Sequence, residues 1–305
     1  MLGLVAIYGW TIGAGCTVSS VLALVGVQLA TRDRAMQTIC VGQGALVGVL
    51  LGLGLFQPFE MPLLTSIGPM TLALVFSGAT YLLTDRWVAD RAASKNTLFS
   101  VLFAALLSSG YLISSLFPAL ENHLAQVYFG DLATLTEMDS KISLGLSVIA
   151  LIILVRNWAS FSNESFEWAL FGRPPASRKL ASPWVFRLLS LLVLSISVQY
   201  VGFLFTTAML FIPTGLLSLS KVKGLRRHLI LCVALALFSA LTGFLISLAF
   251  TRLPTVPTIV AVLVVVGALV LVTESIVMGF GRGRTSFDLK TVVAWLRLKR
   301  SQQPS

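Results

Sequence analysis

Few side chains in this 305-residue chain are equipped for chemistry, and none stands in a catalytic pattern. There are two histidines, His123 and His228, and three cysteines, Cys16, Cys40 and Cys232. The cysteines are scattered through apolar runs. They form neither a disulfide framework nor a CxxC metal site, and they read as small core residues. His228 stands beside Arg226 and Arg227 at the start of an apolar run, where a solvated imidazole is expected. His123 shares a polar stretch with Glu121 and Asp131, and a solvated loop histidine outweighs a metal-collecting one there. Glu274 lies near the end of the last apolar run and can reach an interface. No GxxxxGK[ST] phosphate loop, HExxH motif or GxSxG turn occurs, so ATP, peptide or lipid is not hydrolysed by those routes. The glycines of VGQGALVG (41–48) do not satisfy GxGxxG, and no βαβ pattern surrounds them. What remains is neutral polar chemistry inside apolar segments. Gln43 is the strongest candidate to line a path for a solute, and Thr258, just after Pro257, is the weaker one. For Gln43 an interhelical hydrogen bond is the equally balanced alternative.

The elements that must position these residues are membrane helices. Hydrophobic residues make up 56% of the chain, charged residues only 11%, and mean hydropathy is +0.91. Soluble domains carry about 25% charged residues, and a folded surface cannot hide so much apolar area from water. The fold class is therefore all-α: a polytopic membrane helical bundle in which an apolar N-terminus forms a retained first span. Apolar runs near 6–30, 37–57, 63–83, 97–117, 141–158, 184–201, 203–219, 228–250 and 257–279 give about nine spans. The sixth and seventh are separated only by a break near Tyr200–Gly202. With the N-terminus outside, every one of the 22 basic residues except Lys141 and Arg252 falls in a cytoplasmic segment. The expected orientation is N-out and C-in. The net charge of +10 then belongs to the cytoplasmic lipid surface rather than to nucleic acid. Residues 1–280 form the membrane domain and 281–305 a basic cytoplasmic tail. Gly44, Gly48 and Gly52 make a small-xxx-small stripe through which another helix can pack closely.

Three stretches, in order, resemble the permease subunits of zinc/manganese/iron-type ABC importers. They are RDRAMQTICVGQGALVGVLLGLGL (32–55), YFGDLATLTEMDSKISL (128–144), and VQYVGFLFTTAMLFIPTGLLSL (198–219) followed by LPTVPTIVAVLVVV (253–266). A fourth, FSNESFEWALFG (161–172), resembles the family's short cytoplasmic helix that docks on the ATPase subunit. Ser162 and Asn163 are possible N-caps, Glu164 and Glu167 the acids of the first turns, and Gly172 with two prolines the stop. Phe166, Trp168, Ala169 and Leu170 supply apolar docking surface. The family's second-span motif carries an Asp and a His four residues apart along the metal path. Here those positions hold Ile39, which cannot ligate, and Gln43, which offers only a neutral amide. No metal ligand set is therefore assigned.

The resemblance implies a transport subunit in the cell membrane that has no ATP site or cofactor of its own. Its partners would be a cytoplasmic ABC ATPase, a second permease subunit, identical or not, and an extracytoplasmic binding protein docking over the external loops near 118–140 and 251–257. The substrate would be a metal ion or a metal chelate. A secondary carrier or exporter of small metabolites is the alternative, and a structural membrane protein a third class.

Overall fold

The computed structural model describes residues 2–56, 62–90, 95–117, 120–171, 183–220, 224–250 and 252–281. The proposed tail beyond Gly281 and the helix stop at Gly172 lie outside the described residues. Described elements are all helical, as a lipid solvent demands: a helix satisfies its own backbone N–H and C=O groups where no water can.

Eleven α-helices follow in chain order. They are α1 (Leu2–Thr31), α2 (Ala35–Phe56), α3 (Pro62–Asp90), α4 (Lys95–Leu116), α5 (Glu121–Phe129), α6 (Glu137–Arg156), α7 (Trp158–Phe171), α8 (Pro183–Tyr200), α9 (Phe203–Ser218), α10 (Leu225–Ala249) and α11 (Thr255–Gly281). Among the described residues, α1–α4, α6, α10 and α11 are long and apolar enough to cross a membrane, and α8 and α9 are shorter apolar helices. At 1.5 Å per residue α8 and α9 reach only about 27 and 24 Å. The chain changes direction between them at Gly202, whose φ of +99° a side chain would resist.

The bundle has two groups of helices. Around α1, which is buried along most of its length, pack α6, α9 and α10, and α11 lies against α9 and α10. Around α2 pack α3 and α4. Helix α8 touches both groups, contacting α2 and α3 on one side and α6 and α9 on the other.

Two boundaries depart from the sequence reading. The stretch 118–140, read as loop, holds α5 and a 3-10 turn at Leu132–Thr134. Nine residues are too few to register as a span, and their polar start resembles loop composition. The helix expected to begin at Ser162 begins at Trp158, almost continuous with α6, with only Asn157 between. The Asn157 backbone N–H and Nδ2 both donate to Ile153 O, which ends α6 without a spacer. Ser162 and Asn163 are therefore helix interior, not caps.

Candidate functional site

Helix α2 carries the candidate path residue, and glycine places it. A Cβ added to Gly44 would lie 2.3 Å from Thr80 Oγ1, one on Gly48 2.4 Å from the Leu72 carbonyl oxygen, and one on Gly52 2.4 Å from Pro69 Cα. The stripe thus lets α3 run against α2 backbone to backbone. Gln43, one residue off this stripe, is only 1% exposed, and its Oε1 has no hydrogen-bond partner among the described residues. A buried acceptor without a donor costs about 1–3 kcal/mol. Ile39 is half-buried one turn away. Thr258 is elsewhere: its hydroxyl donates to Pro254 O within its own helix start, and the structure does not bring it to Gln43.

One end of the bundle is an ionic knot. Helices α1 and α2 reverse direction in three residues, with Asp33 in the left-handed region at φ 52° and Arg34 N–H bonded back to Leu29 O. This turn sends both flanking arginines inward. Arg32 Nη1 lies 3.1 Å from Glu164 Oε1 on α7, with the two side chains 4% and 8% exposed. Its Nε donates to Ser165 Oγ at 2.9 Å, and its guanidinium lies 4.1 Å from the Phe186 ring centroid. Gln28 Nε2 donates to Ser162 Oγ, and Ser165 Oγ in turn donates to Gln28 Oε1. Burial pulls the Arg32 guanidinium down to about 10, Glu164 works against that shift, and the group stays cationic at neutral pH. Arg34 Nη1 binds Asp85 Oδ1 at 2.9 Å and the Tyr81 hydroxyl at 2.8 Å, and Arg187 Nη1 approaches Asp85 Oδ2 at 3.7 Å. Gln37 Nε2 donates to Thr84 Oγ1.

The sequence reading turned Arg32 and Arg34 toward lipid headgroups, and the structure corrects this: both are buried ion-pair partners. Glu164 likewise is not an open helix-start acid but the counter-ion of Arg32. Phe166 is 65% exposed and Glu167 half-buried, so α7 presents an apolar group outward while Glu164 and Ser165 tie it down. Trp168, Ala169 and Leu170 continue α7.

The opposite end is an open cavity of about 270 Å³. It is lined by Val49 and Leu53 of α2, Gln126 and Val127 of α5, Asp131, Thr134, Leu135, Thr136, Asp139 of α6, and Gln199 and Tyr200 of α8. Two glycines build its rim. Gly130, at φ +79°, lies where a Cβ would fall 1.9 Å from Val201 O, and a Cβ on Gly202 would fall 2.5 Å from Gly130 Cα. The 128–144 and 198–219 stretches therefore cross at bare backbone. Asp131 Oδ1 accepts from Ala133 N–H and from Thr255 Oγ1, the first residue of α11. Asp139 and Thr136 exchange bonds: Thr136 Oγ1 donates to Asp139 Oδ2 at 2.6 Å and accepts from Asp139 N–H at 3.2 Å, capping α6. By helix arithmetic Val49 lies about 120° round α2 from Gln43, whereas Gly42 shares Val49's side. Gly42 is covered by the Phe203 ring, and Gln43 is not among the residues that line the cavity.

The arrangement is that of a multi-pass helical membrane bundle: a closely packed middle, a charged knot at one end and a polar cavity at the other. The chain belongs to the ABC 3 transport family, whose model matches residues 6–274. This is the metal-type ABC permease family that the three sequence stretches resemble. The structure is similar to PsaBC from Streptococcus pneumoniae, solved in complex with Fab, with a TM-score of 0.70, 16% identity, and coverage of 88% of this chain and 95% of that one. At that identity the likeness is one of fold. No curated protein matches the sequence. The signal for the cavity was present in the sequence as YFGDLATLTEMDS, but only the crossing of Gly130 with Gly202 brings Asp131, Asp139 and Tyr200 together.

Proposed function

We propose that this chain is the membrane-spanning subunit of an ABC importer for a metal ion or metal chelate. It sits in the cell membrane with the N-terminus and the cavity outside and the knot and C-terminus inside. A separate cytoplasmic ATPase drives it, a second permease subunit completes the path, and an extracytoplasmic binding protein feeds it. The observation that carries this reading is the family match across nearly all of the spans. The Arg32–Glu164 bridge supports the mechanical part. A helix held by a buried ion pair to the α1–α2 turn can pass a push from an ATPase into the bundle, while exposed Phe166 makes the outer contact. Phe166, Glu167, Trp168, Ala169, Leu170 and Gly172 form the proposed ATPase contact, and Glu164 becomes its anchor. Movement requires that ATP-bound and free ATPase favour different states of this bundle. Ile39 and Gln43 supply no anionic or imidazole ligand at the path positions, so the solute passes there with its own shell or chelator, or on ligands of the second subunit.

The test is uptake in vesicles holding this chain with its ATPase and binding protein. Uptake should require ATP, and Phe166→Ala with Trp168→Ala should abolish ATPase association while the permease stays in the membrane. Uptake that proceeds without ATP on an ion gradient would replace this reading with a secondary carrier.

A further inference from the structure

We infer that helix α4 is the moving wall of the solute path: it lies shut against α2 over Gln43 and the Tyr128 hydroxyl, and the path opens when α4 parts from α2. The inference rests on the importer reading, which makes Gln43 a path residue.

Gln43 points at α4. At about 100° per residue, Gln43 lies midway between Cys40 and Leu46 round α2, about 20° from Leu50 and about 140° from Gly48, which faces α3. Cys40, Leu46 and Leu50 all meet α4. Cys40 Sγ donates to the Phe99 carbonyl at 3.2 Å, and a Cβ on Gly110 would lie 3.5 Å from Leu50 Cδ1 and 3.6 Å from Leu46 Cδ2. Between Phe99 and Gly110, the side of α4 turned to α2 carries Phe103 and Leu106. Hydrocarbon therefore covers Gln43, which accounts for its 1% exposure and for an Oε1 with no partner among the described residues.

A second polar group is sealed in the same seam. The Tyr128 hydroxyl of α5 is buried without a partner among the described residues. Its position is fixed by Gly110, where an added Cβ would lie 2.7 Å from the hydroxyl oxygen. Buried amides and phenols normally find partners. Two that do not, on one seam, are satisfied when water or solute enters it.

The attachment of α4 suits movement. Helix α2 is its main neighbour, and it meets α3 and α5 only marginally. The hydroxyls of Ser100, Ser109, Ser114 and Ser115 donate to carbonyls of α4 itself, so the helix can shift without breaking them. By contrast, α2 is held to α3 at bare backbone and by Gln37 to Thr84. The outward face of α4 is also polar for a span: Thr97, Ser100, Ser108, Tyr111 and Ser115 are exposed there, where α11 exposes Val264, Val265, Leu269 and Val272. Hydroxyls on that face gain nothing from lipid and suit a wall that meets water.

The native cysteines report the movement. Cys40 is 1% exposed and faces α4, whereas Cys232 is 0% exposed in a separate cluster with Val27 and Leu217. The experiment is N-ethylmaleimide labelling of the assembled complex in vesicles, this chain with its ATPase and binding protein, with and without ATP, read peptide by peptide by mass spectrometry. ATP turnover should speed alkylation of Cys40 about tenfold and leave Cys232 protected, because labelling follows the open population. Gln43→Leu and Tyr128→Phe each remove a group that only the open seam satisfies, so each should cut that gain about threefold. No gain at Cys40, or an equal gain at Cys232, overturns the moving wall. A gain indifferent to both substitutions overturns the part given to Gln43 and Tyr128. If Cys40 stays protected while uptake proceeds with ATP, the moving wall falls and the importer reading stands. If Cys40 opens on an imposed ion gradient and not on ATP, the moving wall stands and the importer reading falls.

Discussion

Removing the Glu164 carboxylate is the most informative single perturbation, because the structure bounds its cost. Arg32 and Glu164 are 4% and 8% exposed at 3.1 Å. Breaking a buried pair by deleting one partner typically costs about 3–5 kcal/mol, most of it the penalty of the stranded charge. Two features put Glu164→Ala at the low end. Arg32 keeps Ser165 Oγ, the Phe161 carbonyl and the face of Phe186. Glu164 Oε2 is itself buried without a partner, so deletion also removes an unsatisfied acceptor. The expected loss is about 3 kcal/mol, or roughly 6–12 °C in midpoint on the scale of domains of this size. The assay is thermal unfolding of the purified chain in detergent, followed by ATPase binding. Arg32→Met with Glu164→Leu should recover most of the loss, because no charge is then stranded. A Glu164→Ala midpoint within about 2 °C of the parent would refute the claim that this pair anchors α7. A double variant whose loss equals the sum of the single losses would refute the coupling between the two residues.

Three other outcomes follow from the packing. Gly48→Leu places a side chain on the Leu72 carbonyl oxygen, where a Cβ alone would be 2.4 Å away, and should part α2 from α3 at a cost above about 3 kcal/mol, read as loss of monodisperse protein in detergent. Gly202→Ala meets both the positive φ and the Gly130 backbone at 2.5 Å, and should cost about 2–4 kcal/mol in thermal unfolding, with the cavity rim opened. Gln43→Leu removes a buried oxygen without a donor and should raise the midpoint by a few degrees. In the uptake assay the same variant should lower flux, and unchanged flux would take Gln43 out of the path.

The sequence spoke clearly where lipid physics is the constraint. Apolar length located the spans, and Gly202 between two apolar runs marked the α8–α9 break. It spoke poorly where a charge is buried. Arg32, Arg34 and Arg187 look like membrane-flanking charges because hydropathy and charge bias weigh a residue by its place along the chain. Whether an arginine faces lipid or Glu164 depends on a left-handed turn at Asp33 and on a helix more than 120 residues away. The same limit hid the cavity. Asp131 and Asp139 read as loop acids, Tyr200 as the end of a span, and only tertiary structure joins them. Helix α7 was recognised by family pattern while its start was displaced, because Asn157 both ends α6 and permits α7 to follow at once.

The two ends of this bundle are joined by stiff elements rather than by a chain of polar contacts. Helix α8 carries Arg187 at the knot and Tyr200 at the cavity, about 20 Å apart along one helix. Helix α2 carries Gln37 at the knot and Leu53 at the cavity, about 24 Å apart. Both rods have their knot ends fixed to α3, through Asp85 and Thr84 respectively. Helix α7 is bonded to the α1–α2 turn that leads into one of those rods, and its Phe161 ring packs on Phe186, beside Arg187, in the other. A displacement of α7 therefore acts on α2 and α8 together at the knot. Because α8 lies between the two helix groups, a tilt there changes the gap between them at the cavity end, where Gly130 and Gly202 cross with no side chains to cushion the shift. This is a lever argument, and it carries a thermodynamic obligation: if ATPase binding at α7 changes solute affinity at the other end by some factor, solute binding must change ATPase affinity by the same factor.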